Sequence, residues 1–141
     1  MHSIRLSAPL LAVLLIAVLN GCSSAPATVS GKVTANGKEV TSGGIVFSPI
    51  AEEGVLNPGK PGMADLAPNG SYTLKIEPGP GGFQKRYAIR FTAYQVPDTT
   101  NDPARQEGKF SVVPYQGLVP KQAEVEIKSG VNVVDIELIK K

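Results

Sequence analysis

Few residues in this chain can do chemistry. The one thiol is Cys22 and the one imidazole is His2. His2 lies in the N-terminal segment read below as a cleaved signal, and its loss leaves no Ser-His-Asp or Cys-His arrangement, no imidazole general base, and almost no route to a transition-metal site. The carboxylates and aromatics are left. Asp98 and Asp102, with Asn101 between them, offer oxygen ligands of the kind calcium takes, but their spacing fits no EF-hand loop. Glu52-Glu53 are adjacent and diverge. A carboxylate-only hydrolase would need two of Asp65, Asp98, Asp102 and Glu107 within ~5–9.5 Å of each other. On an extended segment Arg86, Arg90 and Tyr94 share one face, whereas Tyr87 does not, so the first three form a candidate binding surface. Phe110 and Tyr115 are the aromatics that could serve a carbohydrate- or peptide-binding loop. No catalytic residue, metal or cofactor is assigned.

The elements that position these groups begin at the N-terminus. His2 and Arg5 precede Ala8 to Leu19, an apolar run interrupted only by Pro9. A signal-peptide apolar core takes ~7–15 residues and a spanning helix ~20, so this run is too short to span. Leu19-Asn20-Gly21-Cys22 closes it. That order of large apolar, any, small and Cys resembles the lipobox of bacterial lipoproteins. The resemblance implies that Cys22 is acylated, that Leu19 and Gly21 are read by the signal peptidase, and that residues 1–21 are removed. A plain secretory signal is the alternative, and it would leave Cys22 as a stray thiol. Ser23 behind the Cys implies the outer rather than the inner membrane of a cell envelope. The partner then expected is a membrane, reached through lipid on Cys22, together with an envelope protein or glycan.

Removal of residues 1–21 leaves 120 residues, with 13 basic and 12 acidic side chains. That length suits one domain with one core. The near balance of charge gives no footprint for nucleic acid. No internal disulfide is available, so the core must suffice alone. With 15 Gly and 12 Pro, turns are dense and long helices improbable.

Residues 22–28 read as a short tether and 29–141 as a single domain. Thr28 to Thr34 alternates, with Val29 and Val33 on one face. Asn36-Gly37 then marks a type I′ hairpin turn, which requires positive φ at both central positions. Ile45 to Pro49 follows, and Met63 to Ala67 is a short strand candidate. Pro68-Asn69-Gly70 turns into Tyr72, Leu74 and Ile76, which alternate with polar residues. Lys85 to Gln95 is the longest strand candidate, with Tyr87, Ile89, Phe91 and Ala93 inward. Residues 96–120 carry little pattern beyond a short edge strand within 109–113. Two alternating runs, Ala123-Val125-Ile127 and Val134-Ile136-Leu138, are joined through Ser129-Gly130. About seven short strands and no helical period outside the signal predict an all-β, antiparallel, Greek-key sandwich.

Val29-Ser30-Gly31-Lys32-Val33, Asn36-Gly37-Lys38-Glu39-Val40 and Gly43-Gly44-Ile45-Val46-Phe47-Ser48-Pro49 resemble the opening of carboxypeptidase-regulatory-like domains. Pro68 to Leu74 is similar to that family's Gly-x-Tyr segment. The resemblance spans about residues 28–95 and implies a prealbumin-like (transthyretin-like) sandwich. It implies a packed Tyr72 whose hydroxyl is tied to backbone, and no particular activity, because this fold serves many. The family's 5-hydroxyisourate hydrolases use His, Arg and a C-terminal Tyr-Arg-Gly-Ser, none of which stands here as a motif. The expected function is therefore a non-catalytic interaction or structural module on an envelope lipoprotein. A surface carbohydrate- or peptide-binding module is the alternative.

Overall fold

The computed structural model describes residues 25–97 and 111–141, and these form an all-β sandwich without helix. The strands are β1 (Ala27–Ala35), β2 (Lys38–Glu39), β3 (Gly44–Pro49), β4 (Gly62–Asp65), β5 (Ser71–Ile76) and β6 (Tyr87–Thr92). They continue with β7 (Val96–Pro97), β8 (Ser111–Val112), β9 (Leu118–Pro120), β10 (Glu124–Val125), β11 (Gly130–Val133) and β12 (Ile136–Lys140). One sheet is built on β1, which pairs with β2, β5, β11 and β12, and β9 follows β12. The second sheet has the order β10-β6-β3-β4. β7 and β8 form a separate ribbon.

Alternation explains β1. Ala27, Val29, Val33 and Ala35 are buried, while Lys32 is exposed. Val33, Val29, Ile45, Phe47, Leu74, Ile76, Ile89 and Leu138 come from both sheets and make one core. The Phe47 and Tyr72 rings meet across it, with centroids 6.0 Å apart and planes inclined by 28°. Each such side chain contributes ~1.5–3 kcal/mol by leaving water. Ion pairs such as Lys32–Glu39 at 3.0 Å join exposed side chains and contribute ~0–1 kcal/mol each. The core, not the charge pattern, holds the sandwich.

The Asn36-Gly37 turn is as the sequence predicts. Ala35 pairs with Lys38, and Asn36 and Gly37 have φ of 51° and 74°. Tyr72 is buried and its hydroxyl donates to the Val134 carbonyl at 2.5 Å. Tyr72 stands directly opposite Gly31. A Cβ on Gly31 would collide with that same Val134 carbonyl, so glycine lets the β11–β12 chain close on β1 here.

Four features differ from the expectation. The pairing is not uniformly antiparallel: β1 runs parallel to β11 and β12. β10 descends to the end where β1 begins, and the turn at Gly130 (φ 89°) starts β11 beside Ala27. The final two alternating runs do not pair with each other: β10 joins β6 and β12 joins β1 and β9. β1, at nine residues, is the longest strand, and β6 keeps only six of the residues from 85 to 95. β1 also begins at buried Ala27, two residues inside the stretch read as tether.

These strand directions give the sandwich two ends. β1 starts at one end, where β5 finishes at Ile76, β6 starts at Tyr87 and β11 starts at Gly130. The loops 50–61, 77–86 and 126–129 gather there. The Asn36-Gly37 hairpin, the 66–70 turn and residues 93–95 lie at the other end, ~27 Å away for eight residues of extended β1.

Candidate functional site

The outer face of the β10-β6-β3-β4 sheet carries the residues singled out on β6. Cross-strand register sets its rows. Arg90 and Met63 flank Val46, and Thr92 and Asp65 flank Gly44. Arg90, Thr92, Met63 and Asp65 are exposed, as alternation requires opposite buried Ile45, Phe47 and Ile89.

Tyr94, two residues beyond β6, folds back across this face. Its hydroxyl donates to Asp65 Oδ1 at 2.6 Å, spanning β3 to reach β4. The ring end lies on Gly44, where a Cβ would stand 2.5 Å from the hydroxyl oxygen. Any other residue at position 44 would displace the ring. The carboxylate raises the Tyr94 ionisation above the usual tyrosine range, chiefly by holding the hydroxyl proton, with smaller contributions from burial and from its negative charge. The phenol is therefore a neutral, oriented group throughout the physiological range.

Beside it lies a depression of about 390 Å³ lined by Val46, Met63, Asp65, Thr92 and Tyr94, among others. Met63 is 72% exposed and Tyr94 40% exposed. The arrangement offers an aromatic surface, a flexible thioether and a carboxylate whose hydroxyl partner is in place. It can bind a ligand with one apolar and one hydroxyl-bearing side.

The other candidates are placed as follows. Arg86 shares the outward face but sits at the start of β6, with its guanidinium on Glu124 at 3.0 Å. The Tyr94 hydroxyl folds back to the row of Thr92, Gly44 and Asp65, six residues along the strand from Arg86 and so ~20 Å away, and Arg86 and Tyr94 do not act on one small ligand. Arg90 lies between them. Tyr115 is half-buried, edge-on to Phe91 at 6.5 Å. Its hydroxyl is within 3.2 Å of the Thr41 amide, which donates to it, and 3.1 Å of the Thr41 hydroxyl. It anchors the chain after β8 and lines a second depression of about 330 Å³ with Lys38 and Leu118. Glu52 accepts the Lys85 amide at 3.3 Å and closes a loop. Among the described residues no three His, Cys, Asp or Glu side chains group as a metal site, and no helix is long and apolar enough to cross a membrane. Leu19, Gly21, Cys22, Asp98, Asn101, Asp102, Glu107 and Phe110 lie outside the described residues.

Sequence reasoning singled out Tyr94 but missed its partners. Gly43-Gly44 at the start of a strand was the available signal, because a glycine inside a strand marks close approach of another group. Asp65 was weighed only as a hydrolytic carboxylate, and nothing local in the sequence couples it to Tyr94.

No family model matches the chain, and no curated protein matches it. Among solved structures, it resembles a DUF3823 family protein from Parabacteroides merdae, with 14% identity and a TM-score of 0.42. That match covers 83% of this chain but spans only about half, 47%, of the other. A second similar structure is the dioxygenase domain of a dioxygenase carbohydrate-binding protein fusion from Streptomyces sp. SirexAA-E. It shows 18% identity, a TM-score of 0.42, and coverage of 88% of this chain and 86% of that one.

Proposed function

We propose that this chain is a lipid-anchored envelope module, held to the outer membrane through acylated Cys22, whose sandwich presents a non-catalytic carbohydrate-binding face. The observation that carries the binding reading is the Tyr94 ring, seated on Gly44 and held by Asp65 beside exposed Met63. A sugar ring has an apolar side of C–H groups that stacks on an aromatic face, and hydroxyls that donate to a carboxylate. Asp65 uses Oδ1 for Tyr94 and lines the same depression.

Placement supports the same reading. Tyr94 lies near the end of the sandwich opposite Ala27, so a chain anchored at Cys22 holds the depression away from the bilayer. The sandwich then acts as a spacer of roughly one strand length.

The test is a titration of the protein with cellohexaose, xylohexaose and chitohexaose, followed by NMR shifts and calorimetry. Binding near Kd ~0.1–1 mM, about −4 to −5.5 kcal/mol, is expected for one of them. Tyr94→Ala should weaken it by about tenfold or more, ~1.4 kcal/mol, and Arg86→Ala should leave it unchanged. If every sugar leaves the Tyr94 and Thr92 signals unmoved, the carbohydrate reading fails. The anchor is tested separately by metabolic palmitate labelling, which Cys22→Ser should abolish.

A further inference from the structure

We infer that the loop joining β3 to β4 is a second, shallow contact with the lipid surface, in which Leu56 inserts among the headgroups and upper acyl chains. The inference rests on the acylated-Cys22 reading and adds an orientation to it.

Chain length makes the contact geometrically available. Ala27 is already buried in β1, and the five residues from Cys22 to Ala27 reach at most ~18 Å. With Cys22 acylated, Ala27, at the end of the sandwich that holds loops 50–61, 77–86 and 126–129, stays within ~18 Å of the membrane surface.

At that end Leu56 is 101% exposed, more than any other large apolar side chain described. Its loop is braced. The Val55 amide donates to the Glu52 carbonyl at 3.0 Å, with Gly54 at φ 80° completing the turn. Asn57 Oδ1 accepts the Gly59 amide at 3.2 Å. The Ile50 amide donates to the Arg86 carbonyl at 2.9 Å. Gly59 packs so closely on Gly79 that a Cβ would come within 3.0 Å of the Gly79 nitrogen. A braced tip presents Leu56 at little ordering cost. A lone exposed leucine is ordinary on a protein surface; one beside a tethered acyl anchor has lipid as its nearest apolar medium.

Charge at this end selects no anionic or cationic lipid. Lys60, Lys75, Lys85, Arg86 and Lys128 share this end with Glu52, Glu53, Glu77, Glu124 and Glu126, and three of the cations lie within 4 Å of a carboxylate. Glu53 and Lys60 flank Leu56 and stay at headgroup level. One leucine is far too small to hold a domain on a bilayer, so the contact orients a protein that the acyl chains already retain.

The chain has no tryptophan, so Leu56→Trp places a single probe at the tip. The full lipidated protein would be reconstituted in phosphatidylcholine vesicles with or without dibrominated acyl chains. Lys38→Trp, at the opposite end, is the comparison. The expected result is a blue-shifted L56W emission, quenched roughly twofold by brominated chains as insertion to ~5–10 Å requires, with K38W unquenched. L56W emission as solvent-exposed and unquenched as K38W, in protein that still floats with vesicles, overturns the inference and leaves the anchor standing. Protein that does not float with vesicles overturns both.

Discussion

Tyr72 and Tyr94 each cross a glycine to reach a neighbouring strand, one inside the sandwich and one outside. Gly31 lies under the first and Gly44 under the second. The consequences differ with burial. Tyr72 is held by the core, and its ionisation is raised far above the usual tyrosine range, first by burial and then by the charge of Asp135. A folded state that keeps the phenol proton is favoured while unfolded tyrosine also keeps it, and that advantage is lost as pH rises above ~10. Stability should therefore be full at neutral pH and fall on the alkaline side. Tyr72→Phe should cost about 1–3 kcal/mol at pH 7, because it leaves the Val134 carbonyl without its donor. It should also flatten the alkaline decline. Thermal melts from pH 7 to 11 on both proteins measure this, and parallel pH curves would contradict it. Gly31→Ala should destabilise more, since the clash is with backbone that cannot swing aside.

Among the elements, the β1–β2 hairpin is the most locally determined. Positive φ at Asn36 and Gly37 suits Asn-Gly and penalises a β-branched residue. Gly37→Val should cost about 1–2 kcal/mol while leaving the core intact, because nothing lies within 4 Å of a Cβ there. Chemical denaturation with an unchanged slope would separate this backbone strain from a packing defect. β6 illustrates the reverse. Its alternation names the buried Tyr87 and Ile89, but its partners β3 and β10 come from sequence separations of about forty residues on either side. No local pattern encodes that pairing.

At the scale of the whole sandwich the two ends differ. The buried start of β1 lies at one, and the Tyr94–Asp65 depression lies towards the other. Cys22→Ser should move the protein from the membrane to the soluble fraction without changing its melting temperature, since Cys22 precedes the first core residue. A lowered melting temperature would mean that residues before Ala27 contribute to the fold.

The sequence by itself determined the all-β class, the Asn-Gly turn, and the buried faces of β1, β5 and β12. These follow from two-residue periodicity and turn chemistry, which act over a few neighbours. It also isolated Cys22 behind an apolar run as the only thiol. Tertiary structure alone decided the parallel seam between β1 and the C-terminal strands, and the separation of β10 from β12 into opposite sheets. It alone seated Tyr94 on Gly44 beside Asp65, and it set Arg86 too far away to share that site. Each of these depends on which distant strands become neighbours, and that choice is made by burying one common core.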